Sequence, residues 1–424
     1  METVLEALEK RGFIDAVSSD ELRERLKEPL KLYIGFDPTA DSLHLGHLVG
    51  IIAFAWFQKY GHTPVVLLGG GTGKIGDPSG KNTERPLLDE DLLKKNVEGI
   101  RKQFERCLDF SHQTAPPVLV NNNDWLSSYS LIEFLRDVGK HFRLGPMLGK
   151  DSVRSRLNSE EGMSFTEFSY QVLQGYDFYH LYKEKGVCLQ VGGSDQWGNI
   201  TAGIELTRKL TGESVFGVTC PLLTRSDGKK FGKSEEGAIW LDPEKTSPYQ
   251  FYQYLVRVAD ADVTRFMRML TFISMEEIRS FEEEIASGEF TPFVAQKRLA
   301  EEVTRFVHGD EGVQIALRVT AALAPGSKAT LDPDILEEIA RDMPHVSLDK
   351  SEVLNQKYTD IIAKAGFVAS KGEAQRLIKN GGAYLNNEKV EDPAFTIALG
   401  HLIGNKYMML GAGKKKKMLI KIVS

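Results

Sequence analysis

The chain is expected to be an α/β protein: a mostly parallel sheet with helices on both faces, then a helical region, then a small basic α+β unit. Three observations carry this. Strand-like and helix-like segments alternate from about residue 31 to residue 223, the pattern of βαβ units. From about Thr246 apolar residues recur at helical spacing only. Residues 351–424 then hold 12 Lys and Arg against 6 Asp and Glu, a net of +6 that leaves −12 of the overall −6 for the rest. An acidic body with a basic tail points to a nucleic-acid partner read by the tail.

Composition bounds the class. The 424 residues, 42% hydrophobic and 26% charged, suit two or three domains with a full core. No apolar run reaches the roughly 18 residues of a membrane span. The N-terminus, Met1 to Lys10, is acidic and amphipathic, unlike a secretory or transit leader, so a cytoplasmic protein is expected. Cys107, Cys188 and Cys220 are scattered and odd in number. They argue for a reducing compartment and against a disulfide frame or zinc site.

The elements follow in order. Residues 1–30 are expected to be helical and peripheral. Strands are expected at Leu32–Phe36, Pro64–Leu68, Pro117–Asn121, Val187–Val191 and Val215–Leu223. Helices are expected between them at Leu45–Tyr60, Asp89–Phe110, Ser130–His141, Ser164–Tyr182 and Gln196–Leu210. Pro248–Val258, Met275–Ala286 and Val294–Phe306 continue as helices. The expected domains are 1–245, a helical domain at 246–320, a linker at 321–350 with one short helix, and a basic unit at 351–424.

The stretch Asp37-Pro-Thr-Ala-Asp-Ser-Leu-His-Leu-Gly-His47 joins the first strand to an apolar helix. Pro38 and Gly46 shape the turn, and Asp41 or Ser42 is the expected N-cap. His44 and His47, three apart, share a helical face. A helix N-terminus with two imidazoles suits a polyphosphate. No cysteine or third histidine lies nearby, which disfavours a metal site.

Glycine motifs elsewhere need weighing. Gly71, Gly73 and Gly76 match the dinucleotide pattern G-x-G-x-x-G, but Pro78 and Gly80 interrupt where a helix should open. A P-loop fails because Leu68 replaces the first Gly and Ile75 the Ser/Thr. What remains is a backbone lying close to a ligand, carrying Asp77, Lys81 and Arg85. Gly192-Gly-Ser-Asp-Gln-Trp-Gly-Asn199 follows a strand and opens a helix. Asp195 and Gln196 there can bond hydroxyls such as a ribose; the bland alternative is a βα turn capped by Ser194 or Asp195. In Asp227-Gly-Lys-Lys-Phe-Gly-Lys-Ser234 the glycines make a flexible loop, from which Lys230 and Lys233 can reach phosphates.

The order HLGH, GGSDQ, KFGKS resembles class I aminoacyl-tRNA synthetases, whose named motifs are HIGH and KMSKS. GFDPTADSLHLGH, GDPSGK, GGSDQWGNITAG and KFGKS are similar to the bacterial-type or organellar tyrosyl-tRNA synthetases. The likeness runs from about Tyr33 to the tail. It departs in Leu for Ile in the first motif, and in Phe and Gly for Met and Ser in the last. The tail's helix, helix, turn, strand pattern resembles a small S-four-type RNA-binding module. The sister tryptophanyl enzymes lack it.

The resemblance implies a Rossmann-like catalytic domain that joins tyrosine to ATP, with Mg²⁺, and transfers tyrosine to the 3′ end of its tRNA. It implies a homodimer. It implies that Thr39, His44 and His47 hold phosphates, that Lys230 and Lys233 close over pyrophosphate, and that Lys81 and Arg85 approach from the other side. Gly192, Asp195 and Gln196 would seat the ATP ribose, with Asp37 and Gly46 nearby. Tyr170, Gln174 and Asp77 would grip the tyrosine ammonium. Tyr33 and a charged Asp177 would bond the phenol, with Gln190 and Asn122 lining the pocket. Two alternatives remain: a catalytically silent RNA-binding relative, and another HxGH adenylyl transferase, a class that lacks the KFGKS loop and the tail.

Overall fold

The computed structural model describes residues 2–423 except 80–82, 84, 86, 87, 161, 235, 236, 289, 290, 325, 326, 328, 414 and 415; the side chains of 151 and 152 are also outside the description. Lys81 therefore lies outside the described residues. The chain forms two compact units, 1–242 with 258–303, and 243–257 with 304–424.

The first unit is built on a six-stranded sheet of β1 (Ala16–Val17), β2 (Lys31–Phe36), β3 (Thr63–Leu68), β4 (Val118–Asn121), β5 (Val187–Gly193) and β6 (Phe216–Cys220), in the order β1-β6-β5-β2-β3-β4. Only the edge strand β1 runs antiparallel. The central strands are apolar on both faces, as a sheet covered by helices requires: Val65, Val66, Leu189 and Val218 are buried. The helix Leu48–Lys59 buries Phe54 and Phe57 completely, worth roughly 1.5–3 kcal/mol each. Strand order reverses between β2 and β5, so the crevice at their carboxyl ends is the expected ligand site. Tyr33 on β2 pairs in register with Gln190 on β5 at that crevice.

Some helices differ from the expected bounds, and one is additional. Phe165–Lys185 runs past Tyr182 until Gly186 ends it at φ 70°. Asp260–Leu270 was not expected at all. Its carboxyl end receives Arg11, whose guanidinium donates to the Arg268 and Thr271 carbonyls at 3.2 Å.

A separate antiparallel pair, β7 (Lys233–Ser234) with β8 (Gly237–Ala238), belongs to the first unit, and in the second unit a five-stranded sheet has the order β11 (Glu388–Lys389), β10 (Ala383–Leu385), β12 (Tyr407–Ala412), β13 (Lys416–Val423), β9 (His345–Asp349). One apolar core gathers Tyr358, Ile362, Phe367, Met408 and Ile420; a second gathers Val319, Leu336, Tyr407, Met409 and Leu419. The residues expected as a linker supply the helix Pro333–Asp342 and the edge strand β9, which pairs parallel with β13. The residues expected as a helical domain divide between the two units, and the helix Val294–Leu323 contributes to both, broken at Gly309.

Candidate active site

A cavity of about 430 Å³ opens at the carboxyl ends of β2 and β5 in the first unit. Tyr33, Asp37, Thr39, His44, Gly46, His47, Asp77, Arg85, Tyr170, Gln174, Asp177, Gln190, Gly192, Asp195, Gln196, Lys230 and Lys233 all line it. Asn122 is not in its wall, and Lys81 lies outside the described residues.

The deep end carries unpaired polar atoms. The Tyr33 hydroxyl and Gln190 Oε1 are buried with no hydrogen-bond partner among the described residues. An orphaned buried polar atom costs about 1–3 kcal/mol, so two on one cavity wall mark a place prepared for a polar ligand group. Asp177 faces the same end from the helix Phe165–Lys185. Its Oδ2 accepts from Asn122 Nδ2 at 2.9 Å and its Oδ1 from Trp125 Nε1 at 2.8 Å. Asn122 is thus a support behind Asp177, not a lining residue. Burial pushes the Asp177 carboxyl up to about 7, with Asp37 adding to the effect. Burial thus works against the charged form that the resemblance implies for Asp177, while the Asn122 and Trp125 hydrogen bonds work for it. Burial also raises the Tyr33 phenol well above its usual range, so this hydroxyl stays a donor.

The middle of the cavity is a carboxylate and amide network. Asp37 accepts from Thr72 Oγ1 at 2.7 Å and from the Tyr170 hydroxyl at 2.9 Å. Burial and then Asp77 push it up to about 6. Gln196 Nε2 donates to Asp77 Oδ2 at 2.7 Å, while its Oε1 accepts from Asn199 Nδ2 at 3.3 Å and Gln174 Nε2 at 3.4 Å. Gln196 therefore joins the residues expected at the tyrosine ammonium as well as Asp195, whose own carboxyl is raised by burial. Neither Ser194 nor Asp195 caps the helix Trp197–Thr211, which has no side-chain cap. Gly69 lines the cavity, and the glycines here also pack closely on protein: a Cβ on Gly69 would stand 2.1 Å from Asp37 Oδ1, and one on Gly70 2.3 Å from Asn121 Oδ1.

The outer end holds the two histidines and the lysine loop. His44, not Asp41 or Ser42, caps the turn Leu45–His47: its Nδ1 accepts from Gly46 N–H at 3.1 Å. Ser42 is buried and accepts from Gln103 Nε2 at 2.9 Å. His47 Nδ1 accepts from His44 N–H at 3.2 Å, and the rings stack at 3.9 Å. With both Nδ1 atoms accepting, each neutral ring carries its proton on Nε2. Burial, then His44 and Arg85, push His47 down to about 3. It is thus a neutral donor across the physiological range.

The loop is anchored between its lysines. Phe231 is buried against Phe266 at 4.2 Å, on the helix Asp260–Leu270. Asp262 of the same helix accepts from Ser226 N–H at 2.9 Å. Gly232, at φ 88°, lies so close to the histidine turn that a Cβ would stand 2.9 Å from Gly46 N. Leu45 N–H in turn donates to the Ile239 carbonyl at 2.8 Å. Lys230 and Lys233 remain exposed at the rim.

Sequence reasoning missed Trp125, Thr72 and Asn199. Each touches a residue it did name. The signal for Trp125 was a tryptophan three residues after Asn122, and for Asn199 its place in the motif already quoted.

A parallel sheet with its ligand crevice at the switch point, walled by HLGH and KFGKS, defines the class I aminoacyl-tRNA synthetase catalytic scaffold. Residues 24–323 match the family described as tRNA synthetases class I (W and Y), and residues 335–420 match the tyrosine--tRNA ligase SYY-like C-terminal domain. The tyrosine--tRNA ligase of Protochlamydia amoebophila is 57% identical over 423 residues, 100% of both chains. The chloroplastic/mitochondrial tyrosine--tRNA ligase of Arabidopsis thaliana is 48% identical over 99% of this chain and 83% of its own length. The crystal structure of a C-terminally truncated mitochondrial tyrosyl-tRNA synthetase from Aspergillus nidulans superposes with a TM-score of 0.66 at 34% identity, covering 74% of this chain and 92% of that one. The chain belongs to the tyrosine--tRNA ligase family.

Proposed function

We propose that the chain joins L-tyrosine to ATP as tyrosyl-adenylate, releasing pyrophosphate, and then passes the tyrosyl group to the 3′ end of its tRNA. The observation that carries this reading is the pairing, on one cavity, of an orphaned polar floor with a histidine turn and lysine loop at the mouth. The first suits a phenol and the second a polyphosphate.

The tyrosine carboxylate is already a nucleophile toward the α-phosphorus. No protein base is needed, and catalysis rests on positioning and on charge stabilisation at the phosphates. Tyr33, Gln190 and Asp177 read the phenol. Asp77, Tyr170 and Gln174 take the ammonium, with Gln196 bridging to Asp195 at the ribose. Thr39 and the Nε2–H groups of His44 and His47 donate to phosphate oxygens, and Lys230, Lys233 and Arg85 meet the charge that develops on pyrophosphate. Mg²⁺ enters with ATP as part of the substrate. In the transfer step exposed basic residues of 351–424 bind tRNA phosphates.

Self-association fits the first unit. Leu131, Ile132 and Phe165 are 69%, 71% and 75% exposed, and Leu135, Leu144 and Leu148 are exposed in the same stretch. So much uncovered apolar surface in one segment calls for a partner, and a second copy is the partner proposed. Among the described residues no helix is long and apolar enough to cross a membrane. The odd, scattered cysteines support a reducing, cytoplasmic setting.

ATP–pyrophosphate exchange tests the reaction. With MgATP it should depend on tyrosine and be absent with tryptophan. Exchange with tryptophan alone, or with none of the twenty amino acids, would refute it.

A further inference from the structure

The run Lys414–Lys417 reads in the sequence as part of a basic tail, yet two of its lysines are engaged inside the second unit. Lys416 Nζ donates to the Phe367 carbonyl at 2.5 Å and stands 4.8 Å over the Phe367 ring. Lys417 Nζ donates to the Ala322 carbonyl at 3.1 Å and to Asn387 Oδ1 at 2.9 Å. Asn387 sits at φ 69° in the two-residue turn between β10 and β11. Its Nδ2 donates to the same Ala322 carbonyl at 3.0 Å. Burial lowers the pKa of the Lys417 ammonium, as partial withdrawal from water requires.

Ala322 belongs to the last turn of the helix Val294–Leu323, where carbonyls lack helical partners and a cation meets the negative end of the dipole. One carbonyl thus receives two donors, one from a hairpin and one from a strand, and the donors are bonded to each other. A single bond would let the sheet pivot on the helix end; this closed triangle does not. Beneath it Val319 and Ala322 pack in one core with Tyr407, Met409 and Leu419.

We infer that Lys417 and Asn387 clamp the C-terminal sheet onto the helix end, and that Lys417 is a positioning residue for the tRNA step, not a phosphate contact. This rests on the tRNA-charging reading above.

Lys417→Met keeps the aliphatic stem and removes the ammonium. In the full chain, tRNA charging is measured over a range of tRNA and salt concentrations, with pyrophosphate exchange alongside. The KM for tRNA should rise about three- to tenfold, part of what the two charge-assisted bonds of the ammonium contribute. Exchange and the slope of log KM against log salt should not change. Lys417→Arg should restore most of the affinity. Asn387→Ala should match Lys417→Met, and the double variant should be no worse than either. A slope lower by about 0.7–0.9 would mean that Lys417 touches a phosphate, and would overturn the clamp. An unchanged KM would overturn it too. Should Lys417→Met fail to fold, Lys417→Arg and Asn387→Ala carry the same comparison. Wild-type protein that charges no tRNA would refute the underlying reading, whereas wild-type charging with an unaltered variant KM refutes the clamp alone.

Discussion

Asp37 shows how the cavity trades stability for readiness. Its pKa, near 6, lies above the ordinary carboxylate value of about 3.9. A raised carboxyl contributes stability that is fully present below its unfolded pKa and lost as pH rises through the folded one. The window here runs from about pH 4 to about pH 6. Asp37→Asn keeps an acceptor for Thr72 or Tyr170 and removes the titration. It should match wild type in unfolding free energy below about pH 4 and exceed it at pH 8 by about 2–3 kcal/mol, while exchange falls. Identical melting profiles against pH would show that Asp37 does not titrate in this range. Lys233 poses the opposite case, an exposed cation that waits for charge. Lys233→Ala should slow adenylate formation by about a hundredfold, roughly 3 kcal/mol, with tyrosine affinity little changed. Stopped-flow fluorescence separates the two; an unchanged forward rate removes Lys233 from the mechanism.

At the scale of elements, the loop and the histidine turn are held by one close approach. Gly232 has both a left-handed φ and no room for a Cβ against Gly46. Gly232→Ala should therefore undock the loop from the turn, lowering the exchange rate by about five- to a hundredfold through the 1–3 kcal/mol such strained positions cost, with tyrosine binding intact. Weakened tyrosine binding in that variant would place the damage elsewhere. The sequence made the βα alternation legible because strand and helix periods differ locally: β2 to β6 fall within a few residues of their expected bounds. It did not disclose what long-range packing decides. Trp125 is an ordinary tryptophan until Asp177 arrives from a helix 52 residues on. The helix Asp260–Leu270, which holds the loop through Asp262 and Phe266, was hidden by a polar start, Asp260-Ala-Asp262, that reads as loop. The capping histidine was missed because Asp and Ser are the usual caps.

Across the whole molecule, charge separates from chemistry. The cavity lies wholly within the first unit, whereas the excess of lysine and arginine lies in residues 351–424. β9, drawn from the expected linker, is invisible to local reading because only its pairing with β13 makes it a strand. Raising salt from 50 to 200 mM should weaken tRNA charging at low tRNA on the order of a thousandfold if six phosphates are contacted. Exchange over the same range should change little. Parallel loss of both would tie the salt effect to the cavity instead of the tail.

The central claim is that the deep end of this cavity reads a phenol. Tyr33→Phe removes one of the two orphaned atoms there and little volume. Its loss should cost tyrosine roughly 0.5–1.5 kcal/mol and phenylalanine nothing. The decisive measurement is the ratio of kcat/KM for tyrosine over phenylalanine in pyrophosphate exchange, in wild type and in Tyr33→Phe. The account predicts that the ratio falls by about three- to tenfold, with Asp177 still discriminating. A ratio that does not fall would contradict it.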